Sequence, residues 1–381
     1  MKIIGVICEY NPFHLGHEKQ LKWIRSQFSE PCAIVCLMSG NFVQRGHPAV
    51  FHKVLRAEAA ARCGADLVLE LPTTVSLSSA EGFAAGGVKI LSGFCDYLCF
   101  GTETGTAESL MATAKALLTP EFSQALRQEL EKGISFPAAR QAALQAMGCD
   151  SGLLENPNDI LAVEYCKAIL SQKSTMLPLP LIREGSYHSQ TPDADNPSAT
   201  ALRRMIEEQG SWWDYAPCDA VSVLKNAGVH SLSAGETAIL CKLRNMTDAE
   251  FEALPYGSEG LWRKFMHECR SQDTLENILT ATKSKRYTRT RLDRMAMCAY
   301  LGISQALMDT PVPYVRVLGF RDSGREVLKM ARQTGTFLHV GESTDHPYWL
   351  LEQKWADLYG LFATTGPEPA GSEPKQRVSI L

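Results

Sequence analysis

The stretch GVICEYNPFHLGH at residues 5–17 is the part of the sequence that decides the fold. It begins inside an apolar, β-branched run, KIIGVIC (2–8), which is typical of a buried parallel strand. A short polar loop follows, and apolar residues at helical spacing then predict a helix over 17–28. A strand, a loop and a helix in this order predict the first unit of a parallel α/β sheet, with the loop at the carboxyl end of the strand.

The same alternation continues to about residue 100, a mostly helical stretch follows over 105–171, and the α/β unit closes near residue 210. Apolar runs predict strands at 32–38, 66–71, 95–100 and 176–182, and helical spacing predicts helices at 52–63, 79–92 and 198–208. Polar turn-forming residues predict a loop at 186–197. Strands that alternate with helices favour an α/β fold, and we expect a Rossmann-like, doubly wound parallel sheet in a domain of residues 1–210.

The second half of the chain has a different pattern. Helical periodicity dominates residues 235–301, and strands are predicted at 314–320 and 336–340. We therefore expect a mostly helical α+β domain over 211–364. Residues 365–381 are polar and rich in Pro and Gly, so we expect a mobile tail.

Bulk composition excludes several classes of protein. The 381-residue chain has a net charge of −4, so any nucleic-acid surface must be a local patch. Its 12 cysteines are scattered and form no C-x-x-C pair, so we predict no metal site and read the free thiols as a sign of a reducing cytoplasm. An apolar stretch of about 18 residues does not occur, so we expect no membrane-spanning helix and no membrane partner.

His14 and His17 are the candidate catalytic residues. They are three positions apart across the predicted helix start, where orphan N–H groups and the helix dipole attract phosphate. Gly16 between them removes a Cβ and would let a phosphate approach the backbone. Such donors suit adenylyl transfer, because they stabilise charge on the α-phosphate as pyrophosphate leaves. The alternative is that both histidines only cap the helix and pack locally.

The string NPFHLGH (11–17) resembles the HxGH motif of the nucleotidyltransferase superfamily, and its longer form is similar to that of the bacterial tRNA(Met) cytidine acetate ligases. Further matching strings are MSGNFVQRGHPAVFHK (38–53), GADLVLELP (64–72), FGTETG (100–105), NDILAVEY (158–165), LIREGSYH (181–188), PSATALRR (197–204), KSKRYTRTRLDR (283–294) and YVRVLGF (314–320). The resemblance covers nearly the whole chain. It implies an enzyme that converts acetate and ATP to acetyl-adenylate and then acetylates N4 of the wobble cytidine in elongator tRNA(Met).

With this resemblance, the candidate ATP contacts are Ile7, Cys8, Glu9, Tyr10, Asn11, Pro12, Phe13, His14, Gly16, His17, Gln20, Gly101, Asn158, Arg183, Ser198, Thr200 and Arg203. Several have ordinary alternatives. Gly101 suits a turn, Asn158, Ser198 and Thr200 suit helix caps, and Arg183 suits a solvated surface charge. An arginine at a strand end beside a triphosphate would instead clamp an anion.

The loop after the second strand departs from the family pattern. His47 and His52 stand where the family has acidic residues, and Thr102, elsewhere in the chain, replaces a usual serine but keeps the hydroxyl. Gln44 and Arg45 could hold acetate or phosphate, and the sequence leaves the role of the loop at 44–53 open.

Residues 283–294 form the candidate tRNA surface. Its cations are Lys283, Lys285, Arg286, Arg289, Arg291 and Arg294, against the single acid Asp293. Basic side chains bind phosphates, and Tyr287 could stack on an unpaired base. A solvated helix face is the alternative, and the resemblance favours tRNA.

Two other functions remain compatible with parts of the sequence. The HxGH motif alone permits an adenylyltransferase acting on a small phosphorylated metabolite, but this leaves the helical half and its basic patch unexplained. A non-catalytic, ATP-responsive RNA-binding protein would not need both His14 and His17. In the main interpretation ATP is a substrate, Mg²⁺ can accompany it, and no motif indicates an oligomeric state.

Overall fold

The structure, a computed structural model, describes residues 1–149, 151–182 and 198–381. The loop predicted at 186–197 and the candidate ATP contact Arg183 therefore lie outside the described residues. Within the described ranges, no helix has the length and apolar character needed to cross a bilayer.

The strands are β1 (Lys2–Cys8), β2 (Cys32–Ser39), β3 (Phe42–Val43), β4 (His47–Pro48), β5 (Leu67–Leu71), β6 (Tyr97–Thr102), β7 (Leu177–Ile182), β8 (Val315–Phe320), β9 (Phe337–His339) and β10 (Ser379–Ile380). The helices of the first half are α1 (Leu15–Ser26), α2 (Lys53–Arg62), α3 (Thr73–Ser76), α4 (Ala80–Leu91), α5 (Ala107–Leu117), α6 (Pro120–Glu131), α7 (Phe136–Ala146), α8 (Pro157–Ser171) and α9 (Ala199–Glu207). Those of the second half are α10 (Cys218–Leu224), α11 (Glu236–Asn245), α12 (Asp248–Glu252), α13 (Leu261–Ser271), α14 (Leu275–Thr282), α15 (Arg289–Leu301), α16 (Gln305–Asp309), α17 (Gly324–Ala331) and α18 (Tyr348–Tyr359).

The central sheet confirms the predicted α/β class. Its strand order is β10-β8-β5-β2-β1-β6-β7, with β9 also paired to β8. The five strands predicted in the first half, β1, β2, β5, β6 and β7, are parallel to one another. Ile4 in the middle of β1 pairs with Ile34 of β2 and with Tyr97 of β6. Strands buried on both faces need continuous apolar runs, which is why the sequence identified them.

The C-terminal half contributes to this same sheet. The strands predicted at 314–320 and 336–340 are present as β8 and β9, but β8 runs antiparallel to β5, with Leu67 opposite Phe320. All six residues of β8 are buried. Because β8 is buried, it needs a neighbour on each edge, and β5 supplies one while β9 and β10 supply the other.

The prediction of a mobile tail at 365–381 is wrong. Ser379 and Ile380 pair with β8, and Glu373 is completely buried. The Lys53 ammonium donates hydrogen bonds to Glu373, at 2.6 Å, and to Glu70, at 2.9 Å. Buried charges are tolerated only when they are paired, so these contacts fix the end of the chain against α2 and β5. The composition of the tail correctly indicated little regular structure but not this packing.

The helices of the second half surround a core that the first half shares. Leu292, Met295 and Ala299 on α15 are buried in it together with Phe42 and Leu77 from the first half. The helical region therefore packs directly on the loops that follow β2 and β5, beside the ligand-binding edge of the sheet.

Candidate ATP site

A cavity of about 330 Å³ opens at the carboxyl ends of β1 and β6, next to the starts of α1, α4, α8 and α9. Open α/β sheets bind ligands at this edge, and small-molecule pockets measure about 300–1,000 Å³. The candidate ATP contacts that line it are Ile7, Cys8, Glu9, Tyr10, Asn11, His14, His17, Gln20, Gly101, Asn158, Ser198 and Arg203. Residues from widely separated parts of the sequence thus line one cavity.

Some candidates do not line this cavity. Phe13 is buried in the core beneath the loop, and neither Pro12 nor Gly16 reaches the wall. Thr200 lines a smaller adjoining cavity. Sequence analysis missed other lining residues, namely Ala80, Phe83, Phe100, Glu103, Pro157, Leu161, Tyr165 and Ala199. Most are apolar, and an apolar lining residue looks like any core residue in a sequence. Glu103 was the one with a usable signal, since it lies two residues after Gly101 in FGTETG.

His14 is the N-cap residue of α1 and forms a capping box with His17. The Gly16 amide donates to Nδ1 of His14 at 3.1 Å, and the His14 amide donates to Nδ1 of His17 at 3.3 Å. The two rings are stacked, with centroids 3.6 Å apart. The local capping role considered as the alternative to phosphate binding therefore exists.

The cap bonds also decide which ring nitrogen can donate. A neutral imidazole has one N–H donor and one acceptor nitrogen. Because Nδ1 accepts a backbone hydrogen bond in both rings, we assign the hydrogen of the neutral form to Nε2. Both rings line the cavity, so capping the helix and presenting N–H donors to an anion are compatible roles.

Gly16 has a steric role beside the ring of His14. A Cβ at this position would lie 3.1 Å from Cε1 and 3.2 Å from Nδ1 of His14. Those separations are shorter than ordinary van der Waals contact. The glycine therefore makes room for the imidazole of His14 to fold back onto its own helix, which positions the ring for the cavity.

The start of α9 forms another wall. Ser198 is in the N-cap position, but its side chain makes no capping hydrogen bond. The Arg203 guanidinium donates to the Asn11 carbonyl at 2.8 Å and to the Thr200 hydroxyl at 3.0 Å. The arginine therefore ties the loop after β1 to the first turn of α9, and Ser198 is not used as the cap that its position suggested.

Two acids, Glu103 and Asp159, hold the wall formed by α8. Each carboxylate accepts a hydrogen bond from the backbone amide of the other residue. The Glu103 carboxylate accepts hydrogen bonds from the Asn158 side chain, at 2.7 Å, and from the Asp159 amide, at 2.8 Å. Asp159 is fully buried and accepts from the Thr102 hydroxyl and from the amides of the loop after β6. These hydrogen bonds hold the pKa of Asp159 below its ordinary value although burial opposes this. Asn158 thus helps to fix Glu103 at the cavity.

Arg56 is a structural residue of the site that sequence analysis did not single out. It is completely buried, and its guanidinium donates to the carbonyls of Glu9, Ser39, Gly40 and Phe51. The planar guanidinium of Arg56 therefore connects the loop after β1 to the loop after β2. This fixes the position of Glu9, which lines the cavity.

His52, at a position where the resemblance implies an acidic residue, caps a helix. It is the N-cap residue of α2, and its Nδ1 accepts a hydrogen bond from the Val54 amide at 3.3 Å. Burial lowers its pKa to about 3, so the ring is neutral at physiological pH and can accept. An aspartate at this position would also cap the helix.

The basic segment, residues 283–294, proves to be only partly available for RNA. Arg289 forms two hydrogen bonds to Glu276, both 2.7 Å, and one to Asp293 at 2.8 Å. Arg286 pairs with Glu259 at 2.8 Å, and Arg291 donates to the Tyr256 carbonyl at 2.7 Å. The guanidinium of the sixth cation, Arg294, lies over the ring of Tyr256, 5.1 Å from its centroid.

Two lysines differ from these arginines. Lys283 and Lys285 are exposed, and neither forms an ion pair with any residue that the structure describes. Of the six cations from which a phosphate-binding surface is predicted, these two lysines are therefore the most accessible, and Arg286 lies beside them in an exposed ion pair that water and salt screen.

The basic segment lies against the loop between β3 and β4. A Cβ added to Gly46 would come within 2.5–2.7 Å of the backbone of Asp293 and Arg294, so the loop and the start of α15 are in close contact. His47 lies near Asp293, Arg203, Arg45 and Arg289, and burial is the main reason its pKa is lowered. The proximity places the candidate RNA surface next to the candidate ATP site.

The fold defines a nucleotidyltransferase of the HxGH type. A family model described as HIGH Nucleotidyl Transferase matches residues 1–368. A crystal structure of Thermotoga maritima TmcAL without nucleotide superposes with a TM-score of 0.90 at 30% identity and with full coverage of both chains. The same protein bound with alpha-thio ATP gives a TM-score of 0.88.

Similarity to curated proteins is more specific. The tRNA(Met) cytidine acetate ligase of Clostridium novyi is 36% identical over 86% of this chain and 87% of its own length. The enzyme of the same name from Alkaliphilus metalliredigens is 37% identical over 88% and 87%. This chain belongs to the tRNA(Met) cytidine acetate ligase family.

Proposed function

We propose that this protein activates acetate with ATP and acetylates N4 of the wobble cytidine of elongator tRNA(Met). The observation that carries the proposal is the paired His14 and His17 at the start of α1, lining a nucleotide-sized cavity in a member of the ligase family. We place the reaction in the cytoplasm, in keeping with the free cysteines of the chain.

In the first half-reaction an acetate oxygen attacks the α-phosphate of ATP and pyrophosphate leaves. His14 and His17 would stabilise the charge that develops on the α-phosphate, and the start of α9 with Arg203 would bind the outgoing phosphates. The roles assigned to the other lining residues are contacts to the nucleotide. Gln44 and Arg45, which also line the cavity, are the candidates for acetate.

A Mg²⁺ ion would come with the nucleotide. The described residues contain no group of three or more His, Cys, Asp or Glu side chains that could hold a metal. Mg²⁺ commonly uses substrate phosphates, water and one or two carboxylates instead of an all-protein cage. The residues present fit that mode, because Glu103 lines the cavity and would supply a carboxylate to the ion.

In the second half-reaction the cytidine N4 amine attacks the acetyl carbonyl and AMP leaves. We assign tRNA binding to the second half of the chain, through Lys283, Lys285 and the exposed part of Arg286. Their position beside the β3–β4 loop supports this division, because a tRNA held there reaches the edge of the sheet at which the adenylate forms.

The test is to incubate the protein with ATP, labelled acetate and bulk tRNA, digest the RNA and measure N4-acetylcytidine. We expect label in acetylcytidine only when ATP and tRNA are both present. A control transcript of tRNA(Met) with uridine at the wobble position should accept none. Transfer of AMP to a small phosphorylated metabolite without acetate would contradict the proposal, as would RNA binding without any acetate-dependent consumption of ATP.

A further inference from the structure

A second cavity of about 140 Å³ adjoins the ATP cavity. The two cavities share the lining residues Glu9, Asn11, Arg45, Ser198, Ala199 and Arg203. The second cavity, here called the side chamber, has less than half the volume of the first. It offers several times the roughly 30 Å³ that a water molecule occupies in the liquid, which suits a single pyrimidine ring.

The walls of the side chamber combine apolar surface with hydrogen-bond donors and acceptors, which suits a nucleobase. Val43, Val50 and Leu232 form apolar surface. Two carboxylates, Glu9 and Glu207, line it as hydrogen-bond acceptors, and two guanidinium groups, Arg45 and Arg203, line it as donors. A flat base with amine hydrogens would satisfy both kinds of wall, since its faces are apolar and its edge donates hydrogen bonds.

The side chamber also lies between the ATP cavity and the basic segment. His47 lines the chamber and is close to Asp293 and Arg289 at the start of α15. A nucleotide whose neighbouring phosphates are held by the basic segment could therefore insert its base here. Enzymes that modify a base commonly take it out of the stack into a fitted pocket.

We propose that the side chamber receives the base of the target cytidine and that the Glu9 carboxylate binds its exocyclic amine. The inference rests on the proposed function and adds the location of the acceptor. Glu9 lines both cavities, and the Gln44 amide donates to its Oε1 at 2.8 Å, which orients the carboxylate. Carboxylates accept hydrogen bonds from N4 of cytosine in nucleic-acid recognition.

This placement gives the transfer step a proton acceptor. The N4 lone pair forms a bond to the acetyl carbonyl carbon, and the bond from that carbon to the phosphate oxygen breaks. AMP leaves with that electron pair. The proton lost from N4 passes to the Glu9 carboxylate, which returns it to solvent. No oxidant or further reactant is needed.

The first test fills the side chamber. Leu232 is partly exposed and lines the chamber only, so Leu232→Trp should lower kcat/KM for tRNA acetylation by at least about tenfold, as an added steric mismatch does. Acetate-dependent ATP–pyrophosphate exchange, which reports the first half-reaction, should stay within about twofold. Ala234→Trp, at an exposed position off the chamber wall, is the matched control and should change neither rate.

The outcomes of this test separate the inference from the proposed function. A rise in KM for pyrophosphate in Leu232→Trp would show that the chamber holds phosphate and would overturn the inference. Unchanged tRNA acetylation would overturn it too. If Leu232→Trp does not fold, Leu232→Ala enlarges the chamber instead and should raise KM for tRNA without changing the exchange. Absence of acetate-dependent exchange in the wild-type protein would refute the proposed function itself.

The second test addresses Glu9. With acetyl-adenylate formed in advance, Glu9→Gln should slow transfer to tRNA by about 10²–10⁴-fold in a single turnover, the usual contribution of a positioned base. Glu9→Asp should recover part of the rate, because it keeps a carboxylate at this position. Equal transfer rates in wild type and Glu9→Gln would show that the carboxylate takes no part in this step.

Discussion

The ATP cavity and the basic segment were both predicted from side chains that can donate hydrogen bonds to phosphate, and the structure treats the two groups differently. At the cavity, His14, His17 and Arg203 converge on one space although nearly two hundred residues separate them in the chain. In the basic segment, Arg286 and Arg289 turn towards acids of their own chain. The contrast teaches that a count of charges predicts a local field, while neighbouring acids decide which charges remain available.

The contrast also shows that a structural partner does not exclude a functional role. The cap bonds of His14 and His17 use Nδ1, and both rings also line the cavity. The guanidinium of Arg289 is a different case, because three of its hydrogen bonds go to two carboxylates. The predictions test this distinction, beginning with the largest expected effect.

Substitution of either histidine should have the largest effect. We expect His14→Ala or His17→Ala to lower acetate-dependent ATP–pyrophosphate exchange by about 10²–10³-fold, as loss of one preorganised donor does. His14→Asn is the matched variant, because an asparagine oxygen can accept the Gly16 amide and keep the cap. It should restore thermal stability but not the exchange. Full ATP–pyrophosphate exchange in His14→Asn would show that His14 and His17 only cap the helix.

Arg203 should have the next largest effect. Charge-assisted hydrogen bonds contribute about 1.5–3 kcal/mol, so Arg203→Ala should weaken ATP binding on the order of tenfold to a hundredfold in calorimetry. Arg204→Ala on the same helix is the control, since Arg204 forms an exposed ion pair with Glu208. Normal ATP affinity in Arg203→Ala, with a lower unfolding temperature, would show that Arg203 stabilises the fold through its hydrogen bonds to Asn11 and Thr200 and does not bind ATP.

The basic segment should separate into two groups of cations. Lys283→Ala with Lys285→Ala should reduce the logarithmic salt slope of tRNA binding by about 0.7–0.9 for each lost phosphate contact and leave stability within about 0.5 kcal/mol. Arg289→Ala should instead lower the unfolding free energy by about 1–3 kcal/mol, because the buried carboxylate of Asp293 loses a partner. Salt titrations and urea unfolding measure the two effects. A loss of stability in the lysine variant and a smaller salt slope in Arg289→Ala would contradict the assignment of the lysines to tRNA binding and of Arg289 to the fold.

The smallest effect should be a pH dependence at Glu276. Hydrogen bonds from Arg289 lower the pKa of Glu276 from 4.5 to about 2. A lowered carboxyl pKa stabilises the fold above the ordinary pKa and ceases to do so as pH falls through the folded value. The stability difference between wild type and Glu276→Gln should therefore be greatest above pH 4.5 and shrink towards pH 2. Because the pair is exposed, we expect no more than about 1 kcal/mol. A stability difference that does not change with pH would show that the contact between Arg289 and Glu276 does not depend on the charge of the carboxylate.

Much of the site could be predicted because its residues lie at the ends of predictable elements. The run before Glu9 and the helix spacing after His17 placed the loop between them at the ligand edge. Glu103 and Arg56 were harder. Glu103 is positioned by the start of α8, fifty-five residues away, and Arg56 by four carbonyls in other loops. A side chain that acts through distant backbone groups has no local pattern in the sequence.

The sequence by itself determined the parallel sheet, the helix starts and the position of the histidine pair, because apolar periodicity and capping depend on residues a few positions apart. Only the tertiary structure decided that β8 completes the sheet in antiparallel orientation and that Glu373 is buried against Lys53, 320 positions away. It also decided that Arg289 is committed to its own fold while Lys285 faces solvent. The physical reason is that burial and charge pairing are set by whatever the folded chain brings within a few ångströms, and the order of residues does not contain those distances.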